Sequence, residues 1–378
     1  MAEACPRCGY PAVADDKCPQ CHVVVSLYRA YLDKMRRGPG GSAPEEATAP
    51  AGGSAAPSAT AAAAGGGMRR LRFRGSAMGL FGIQAVNALL TLLTLGVFYF
   101  WAKTRVRRYV LGETEFEEDR FAYHGSGREL LIGFAKGVAI FFIPIAALTI
   151  LPEVYRAPAE VRASLRSLLW LVGLLLVPVA MVGARRYRLS RMSWRGIRFS
   201  FRGSVRKFVG IFVVGTVLTS LTAGLYYPVF GTQRQAFMVS NAYFGSRKFD
   251  FDGRGRDLMK PFIVMLLLFI PTLGLSWFWF TARRQRYFTE HTRFGAVRFR
   301  CTVKGGPLAW LTISNVVAIV GSLGLLWPWT VVRTLQFNLR NTSLHGPLGL
   351  EDIHQDARSA SAMGEGLAGL LDADFGVG

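Results

Sequence analysis

Apolar residues along this chain come in blocks, and short segments that alternate between apolar and polar residues separate the blocks. A helix needs about 20 apolar residues to cross the hydrocarbon layer of a membrane, so each block predicts a membrane-spanning helix. Six blocks meet this description: residues 77–101, 129–151, 166–183, 205–230, 258–281 and 307–331. The pattern therefore predicts an α-helical polytopic membrane protein with about six spans.

The alternating segments recur at a regular distance and predict short β-strands. They are LRFRG (71–75), FAYHG (121–125), FSFRG (199–203), FDFDG (249–253) and FRCTV (299–303). A second alternating segment and a turn precede most of them, as around Gly245, which predicts small β-hairpins between the spans.

The distance between these segments indicates an internal repeat. Consecutive segments start about 50 residues apart, which indicates one reused supersecondary unit. The interval between the second and third segments is the exception, because it is longer by roughly 28 residues. This additional length is enough for one added helix.

The stretch TLGVFYFWAKTRVRRY (94–109) shows the repeat most clearly. Gly96 and Trp101 have identical counterparts in a later unit, Gly274 and Trp279, and Trp101 also corresponds to Trp329. We expect the glycine to end or bend the apolar helix and the tryptophan to lie at the depth of the lipid headgroups.

Four regions follow from this pattern. Residues 1–37 contain a cysteine-rich ribbon and a short amphipathic helix, and residues 38–67 form a flexible linker of Gly, Ala, Pro and Ser. Residues 68–348 form the membrane domain built from repeats, and residues 349–378 form a mobile, acidic tail.

The ribbon has the spacing of a metal site, because Cys5, Cys8, Cys18 and Cys21 form two Cys-x-x-Cys pairs. Four thiolates satisfy tetrahedral zinc, and a ribbon with almost no apolar core needs the metal to fold. A redox dithiol and a disulfide pair are alternatives, and a cytosolic position disfavours the disulfides. The sequence predicts one structural Zn²⁺.

The formal net charge of +21 comes largely from Lys and Arg that directly flank the apolar blocks. Basic residues in this position attract anionic lipid headgroups, and no nucleic-acid-binding motif accompanies them, so lipids rather than nucleic acid are the expected partner. Arg105, Arg283 and Arg333 occupy equivalent positions after the interfacial tryptophans and are the candidate headgroup ligands.

Few polar residues lie inside the blocks, and Asn87 and Asn315 are equivalent in the repeat. An intramembrane asparagine either hydrogen-bonds a neighbouring helix or serves a transport pathway. No pattern typical of a catalytic site occurs in the chain, so we do not expect an enzyme.

Two features of the sequence indicate opposite orientations of the protein in the membrane. The positive-inside rule places the densest basic segments in the cytoplasm, and six simple spans would then place the amino terminus outside. A reduced zinc ribbon without a signal peptide indicates a cytoplasmic amino terminus, which requires one re-entrant block.

Over residues 71–346, the FxFxG segments, the asparagine-containing span, TLGVFYFWAKTRVRRY and RFAYHG resemble the YjgN-like bacterial inner-membrane proteins, a domain-of-unknown-function family. The resemblance implies a multi-pass protein of the inner membrane and no established activity. The cysteine pairs lie outside the shared region and indicate a fused zinc ribbon.

Two functions agree with the sequence. The first is a membrane-embedded adaptor or sensor, with a zinc ribbon that binds a protein partner and a basic surface that binds lipid phosphates. The second is a transporter or channel for a small solute or lipid. The absence of carboxylates within the spans favours the adaptor.

Overall fold

The computed structural model describes residues 68–350 and 353–355. The predicted zinc ribbon, the linker and most of the acidic tail lie outside the described residues, so the predictions for them stay predictions.

Strands and helices alternate regularly in the described part of the chain. The strands are β1 Arg72–Phe73, β2 Thr114–Phe116, β3 Asp119–Tyr123, β4 Met192–Trp194, β5 Ile197–Phe201, β6 Ala242–Phe244, β7 Arg247–Phe251, β8 Thr292–Phe294, β9 Val297–Cys301 and β10 Thr342–His345. The helices are α1 Ala77–Leu93, α2 Tyr99–Gly112, α3 Gly127–Gly137, α4 Ile143–Val154, α5 Ala159–Ser190, α6 Val205–Leu221, α7 Tyr227–Ser240, α8 Met259–Phe269, α9 Ser276–Glu290, α10 Gly305–Gly321 and α11 Trp327–Arg340. A π-helical segment, Val138–Phe142, joins α3 to α4, and a 3₁₀ turn, Gly255–Leu258, precedes α8.

The ten strands pair antiparallel in chain order, and the two ends of this sheet meet. The Arg69 N–H donates to the Leu344 carbonyl at 2.9 Å, and the Leu344 N–H donates to the Arg69 carbonyl at 2.8 Å. The predicted hairpins are thus parts of one closed β-barrel. Closure pairs the edge strands, which would otherwise expose unpaired backbone groups.

The pair that closes the barrel, Leu344 with Arg69, is equivalent to the pair of residues beside the hairpin turn in each of the other four units. The five equivalent pairs are Phe116 with Asp119, Trp194 with Ile197, Phe244 with Arg247, Phe294 with Val297, and Leu344 with Arg69. The fifth hairpin is therefore assembled from the two ends of the domain. The FRCTV segment forms β9 like its equivalents, although it lacks the FxFxG form.

Four of the six apolar blocks are not continuous helices, because each folds into a helix, a tight turn and the start of a second helix. In the first block Leu95 and Gly96 have φ values of 49° and 91°, and the Gly96 N–H donates to the Thr91 carbonyl at 2.7 Å. This is a helix C-cap in which glycine adopts the left-handed conformation without a Cβ clash. The same pair of positive φ values recurs at Ala223–Gly224, Leu273–Gly274 and Leu323–Gly324.

A hydroxyl before each of these turns connects the two helices. The Thr94 hydroxyl donates to the Leu90 carbonyl at 2.7 Å and accepts from the Phe98 N–H at 2.9 Å. Thr222, Thr272 and Ser322 make the equivalent pair of hydrogen bonds. The recurring Thr/Ser-x-Gly sequence is therefore the turn of a helical hairpin, and it closes the first helix and caps the second.

The second unit is longer than the others, and a π-helical segment divides its first arm into α3 and α4. Its first arm, Gly127–Val154, has 28 residues, and its second arm, α5, has 32, against 17 and 14 in the first unit. The additional residues lengthen both arms of one hairpin, and the first arm consists of two α-helices joined by a π-helical segment. These two arms are long and apolar enough to cross a membrane.

The helices close into a ring as the strands do, because α11 packs against α1. In every unit the second helix of the hairpin (α2, α5, α7, α9 or α11) packs against the strand of the FxFxG position that follows it or, for α11, against β1. Each second helix therefore contacts the barrel through at least one strand.

Candidate functional site

The barrel interior is apolar and contains two sets of equivalent side chains. The first set lies at or next to the end of the first strand of each hairpin and comprises Phe116, Trp194, Phe244, Phe294 and Leu344. The second comprises Leu71, Phe121, Phe199, Phe249 and Phe299. We call both sets together the aromatic ring. With Leu348 and Leu350 the ring lines a cavity of about 170 Å³, and every described residue that lines this cavity is apolar.

The strand register brings members of the two sets into contact. Phe249 pairs with Phe294 across β7 and β8 with 4.7 Å between ring centroids, and Phe199 pairs with Phe244 across β5 and β6 at 4.8 Å. Aromatic pairs of this kind each contribute about 0.5–1.5 kcal/mol beyond the area that they bury. The ring is thus a packed constriction on the axis of the barrel.

A second cavity, of about 400 Å³, lies on the helix side of the ring. Phe199, Phe249 and Phe299 line both cavities and separate them. The other lining residues of the second cavity come from the second helices and from the first residues of the strands that follow them. They are Arg185, Leu189, Gln235, Val239, Ala242, Phe288, Thr289, Thr292 and Thr342. Unlike the aromatic ring, this axial cavity contains a cation and amide and hydroxyl groups.

The opposite end of the barrel is covered by the segment that follows β10. We call residues 347–350 and 353–355 the cap. The Arg247 Nη1 donates to the carbonyls of Leu348 at 3.3 Å and Gly349 at 3.0 Å. The Arg198 N–H donates to the Gln355 Oε1 at 2.9 Å, and the Ile353 side chain is buried in the apolar cluster of the barrel. The cap thus closes the end of the barrel where the hairpin turns lie.

Positive charge surrounds the rim of the barrel. Burial lowers the pKa of His124, and the guanidinium groups of Arg198, Arg191 and Arg108 lower it further. The His124 Nε2 lies 2.8 Å from the Ser193 Oγ. The imidazole therefore stays neutral to a lower pH than an ordinary histidine, because three cations already face it.

The three candidate headgroup arginines differ in their surroundings. Arg105 and Arg283 are exposed, and the Arg105 guanidinium lies 5.5 Å from the Phe98 ring centroid. Arg333 is half-buried, and its Nη1 donates to the Ser314 Oγ at 2.7 Å and to the Asn315 Oδ1 at 3.2 Å. Two of the three therefore expose their side chains, while the third joins two helices of its own hairpin.

Asn87 and Asn315 both face the second helix of their own hairpin. The Asn315 Nδ2 donates to the Thr334 Oγ1 at 3.0 Å, which completes a network with Arg333. The buried Asn87 donates to the Ala102 carbonyl at 3.4 Å, and within residues 68–350 and 353–355 its Oδ1 has no partner. Asn87 also lines a groove of about 790 Å³ that α1 and α2 form with Trp327.

Replacing Arg105 and Arg283 together by glutamine is expected to weaken the retention of cardiolipin or phosphatidylglycerol, measured by native mass spectrometry. Arg333→Gln is expected to leave lipid retention unchanged and to lower the free energy of unfolding by about 1–3 kcal/mol, because Asn315 loses a charged donor. Lysine at the two exposed positions restores retention in part, since it lacks the bidentate geometry of arginine. Equal lipid loss in the Arg333 variant would contradict this distinction.

The sequence did not single out the aromatic ring or Arg185 as functional residues. The spacing of the FxFxG segments identifies the strands, but the alternation within one strand does not show which residues of five strands meet. Closure of the barrel brings them together.

Comparison with known proteins gives inner-membrane relatives. The chain is 28% identical over 155 residues to the inner membrane protein YjgN of Escherichia coli (strain K12), which covers 41% of this chain and 36% of that protein. It is 31% identical over 134 residues to YjgN of Escherichia coli O157:H7, covering 35% of this chain and 31% of the relative. The identity to YjgN of Salmonella typhimurium is 30% over 139 residues, covering 36% of this chain and 32% of the relative. The chain thus spans about a third of the length of these curated relatives, and no solved structure matches it.

The family model is more extensive than these pairwise matches. It matches residues 68–278 and 262–370, which include all five units of the barrel and the cap. The repeat-built domain is thus what this chain shares with its relatives, and the chain belongs to the family described as bacterial protein of unknown function (DUF898).

Proposed function

We propose that the membrane domain is a gated pathway for a small solute and that the pathway follows the axis of the barrel. The observation that carries this proposal is the order of the two cavities and the cap along the axis of the barrel. A cavity with polar groups among the second helices adjoins an apolar ring, and the ring adjoins the cap.

The apolar ring has the properties of a hydrophobic gate. A cavity lined by aromatic and aliphatic side chains alone stays dry, because a water molecule needs two to four polar partners. An ion that enters must give up hydration without a replacement, so apolar constrictions close pathways by dewetting. The ring thus blocks ions in the conformation described.

The cap is a second barrier in series with the ring. It is held to the turns of the barrel by a few hydrogen bonds, such as those from Arg247 and Arg198, and by the side chains of Leu348, Leu350 and Ile353. Such contacts can open without disturbing the strand pairing of the barrel. The cap and the ring therefore give the pathway a closed resting state.

The absence of central carboxylates in the spans counts against a proton-coupled transporter. It does not count against a channel, because a channel needs no coupling group within the spans. The channel therefore agrees with both the geometry and the sequence, and it takes precedence over the adaptor.

The test is solute release from proteoliposomes that contain the full chain. Potassium, chloride and phosphate serve as solutes. The intact protein is expected to release them slowly, and variants with a disrupted ring are expected to release at least one of them rapidly. Equal, slow release from the intact protein and from every ring variant would contradict the pathway.

The adaptor is the second candidate, and the exposed Arg105 and Arg283 favour a lipid-binding surface. In this proposal the ribbon of Cys5, Cys8, Cys18 and Cys21 holds a structural zinc ion and binds a protein partner in the cytoplasm.

Full-length protein purified under reducing conditions is expected to contain about one zinc ion per chain, because four thiolates complete a tetrahedral site. Cys18→Ser is expected to lose most of it, measured by elemental analysis. Cys301→Ser is the matched control, since Cys301 is a buried, free thiol of β9. Less than half an equivalent of zinc in the unsubstituted protein would exclude this site.

A further inference from the structure

A set of equivalent residues on the second helices faces the axis above the aromatic ring. Arg185 on α5 and Gln235 on α7 occupy the same position in consecutive units, and both line the axial cavity. Arg107, Gln285 and Leu335 occupy this position in the other units. No acidic residue occurs at it.

Two members of this set form side-chain hydrogen bonds within the protein. The Arg107 Nη1 donates to the Tyr123 hydroxyl at 3.4 Å, and the Gln285 Nε2 donates to the Asn338 Oδ1 at 3.2 Å. Arg185 differs, because its Nε is buried and has no hydrogen-bond partner in the part of the chain that the structure describes. A buried, charged N–H group without an acceptor is costly, so the Arg185 guanidinium would gain from an acceptor on a ligand in the cavity.

We propose that the axial cavity binds a small anion, such as a halide or an oxyanion, through the guanidinium of Arg185 and the side-chain amide of Gln235. The inference rests on the proposed axial pathway and specifies the class of solute that the pathway admits.

The composition of the cavity determines the sign of the ligand. Its lining includes the cation of Arg185 and, among the described residues, no carboxylate. A guanidinium in a cavity with low-dielectric walls attracts anions strongly and repels cations. Arg185 offers up to five N–H donors in a planar fork, which suits a halide or the oxygens of phosphate.

The hydroxyl groups of the cavity do not replace these donors. Thr289, Thr292 and Thr342 donate to the backbone carbonyls one turn earlier, at 2.9, 2.7 and 2.9 Å. Their protons are thus occupied within the helices, and recognition depends on Arg185 and Gln235. A volume of about 400 Å³ accommodates an anion together with water.

The experiment is equilibrium binding of inorganic phosphate and of chloride, in separate titrations, to the purified full chain in detergent, in a buffer that contains only bulky organic anions. Calorimetry or anion-dependent thermal stabilisation gives the Kd. We expect Arg185→Gln to weaken binding at least tenfold and Gln235→Leu to weaken it less. Arg185→Lys retains binding in part, because it keeps the charge and loses the fork.

Arg186→Gln is the matched control. Arg186 is the next residue of the same helix, and its Nη2 donates to the Gly203 carbonyl at 2.9 Å instead of lining the cavity. This variant is expected to bind the anion with an unchanged Kd. Binding of phosphate alone or chloride alone identifies the class of anion and supports the site.

Two results would overturn the inference: no saturable binding of either anion to the unsubstituted protein, or the same Kd in Arg185→Gln. Neither depends on flux. Flux without anion binding would contradict the proposed anion site but not the pathway. Anion binding without flux through any ring variant would contradict the pathway but not the anion site.

Discussion

Phe249→Ser is expected to increase solute release from proteoliposomes at least tenfold over the unsubstituted protein, which corresponds to a barrier lower by about 1.4 kcal/mol. Phe249 lines both axial cavities and contacts Phe294 across the strand pair. Serine removes the phenyl group of Phe249 and adds a hydroxyl, so water has a polar partner in a cavity that otherwise offers none. The rate of release, followed with ion-selective electrodes, measures the effect.

Phe251→Ser is the control for the loss of packing. Phe251 lies two residues further along β7, contacts Phe288 and His291, and does not line the axial cavities. Phe249 and Phe251 are both half-buried, and losing a core phenylalanine costs up to about 3–5 kcal/mol, so both variants are expected to unfold at a lower temperature. Increased release in the Phe249 variant alone assigns the barrier to the ring. Equal release from both variants would assign the leak to general destabilisation.

A cysteine that replaces Arg156 is expected to react with a membrane-impermeant maleimide from the periplasmic side, whereas a cysteine that replaces Leu323 is expected to react from neither side. The first arm of the second hairpin has 28 residues and extends about 42 Å at 1.5 Å per residue, which exceeds the ~30 Å hydrocarbon layer. Its tip is charged, because Glu153 pairs with Arg162 and Arg166 at 2.9 Å. A charged tip of this kind is stable in water.

The shorter hairpins have a different tip. The first helix of the fifth unit has 17 residues and extends about 25 Å, so the hairpin is too short to carry its turn across. Leu323 and its equivalent Leu95 are 94% and 95% exposed, and no charged residue lies between Leu80 and Ala102. These apolar tips are suited to the hydrocarbon layer, where water-soluble reagents do not reach.

The same experiment decides the orientation. A cysteine at Arg195, in the exposed turn between β4 and β5, and a tag at Ala2 are both expected to be reached only in inside-out vesicles. Every hairpin starts and ends at the barrel, so we expect the basic segments near Arg69 and Arg188 to lie on the same side of the membrane. A cytoplasmic amino terminus and cytoplasmic basic segments are thus compatible. Labelling of the Ala2 tag in intact cells would contradict this orientation.

Local patterns determined much of the fold. The alternation of FxFxG predicted the strands, because the backbone of a strand points successive side chains to opposite faces and needs no distant partner for this. The glycine of the TLG turn predicted the end of the apolar helix, since the left-handed conformation of Gly96 is a property of one residue. The regular period of the segments gave the repeating unit, and the family match agrees with the resemblance found in the motifs.

Where the chain reverses within an apolar block, and that the strands close into a barrel, could be known only from the tertiary structure. An apolar block such as 77–101 has the composition of one span or of a hairpin, and the return of the chain at Leu95–Gly96 is decided by packing of the second helix on the barrel. The repeat also suggested that Arg105 and Arg333 are equivalent, although Ser314 and Asn315 hold only the second one.

The axial cavity depends on closure in the same way. Arg185 and Phe249 belong to different units of the chain and line one cavity only because Arg69 pairs with Leu344 and completes the barrel. Local interactions specify each repeat unit. The axis of the barrel exists only in the closed sheet, because closure requires the hydrogen bonds between Arg69 and Leu344 at the two ends of the domain.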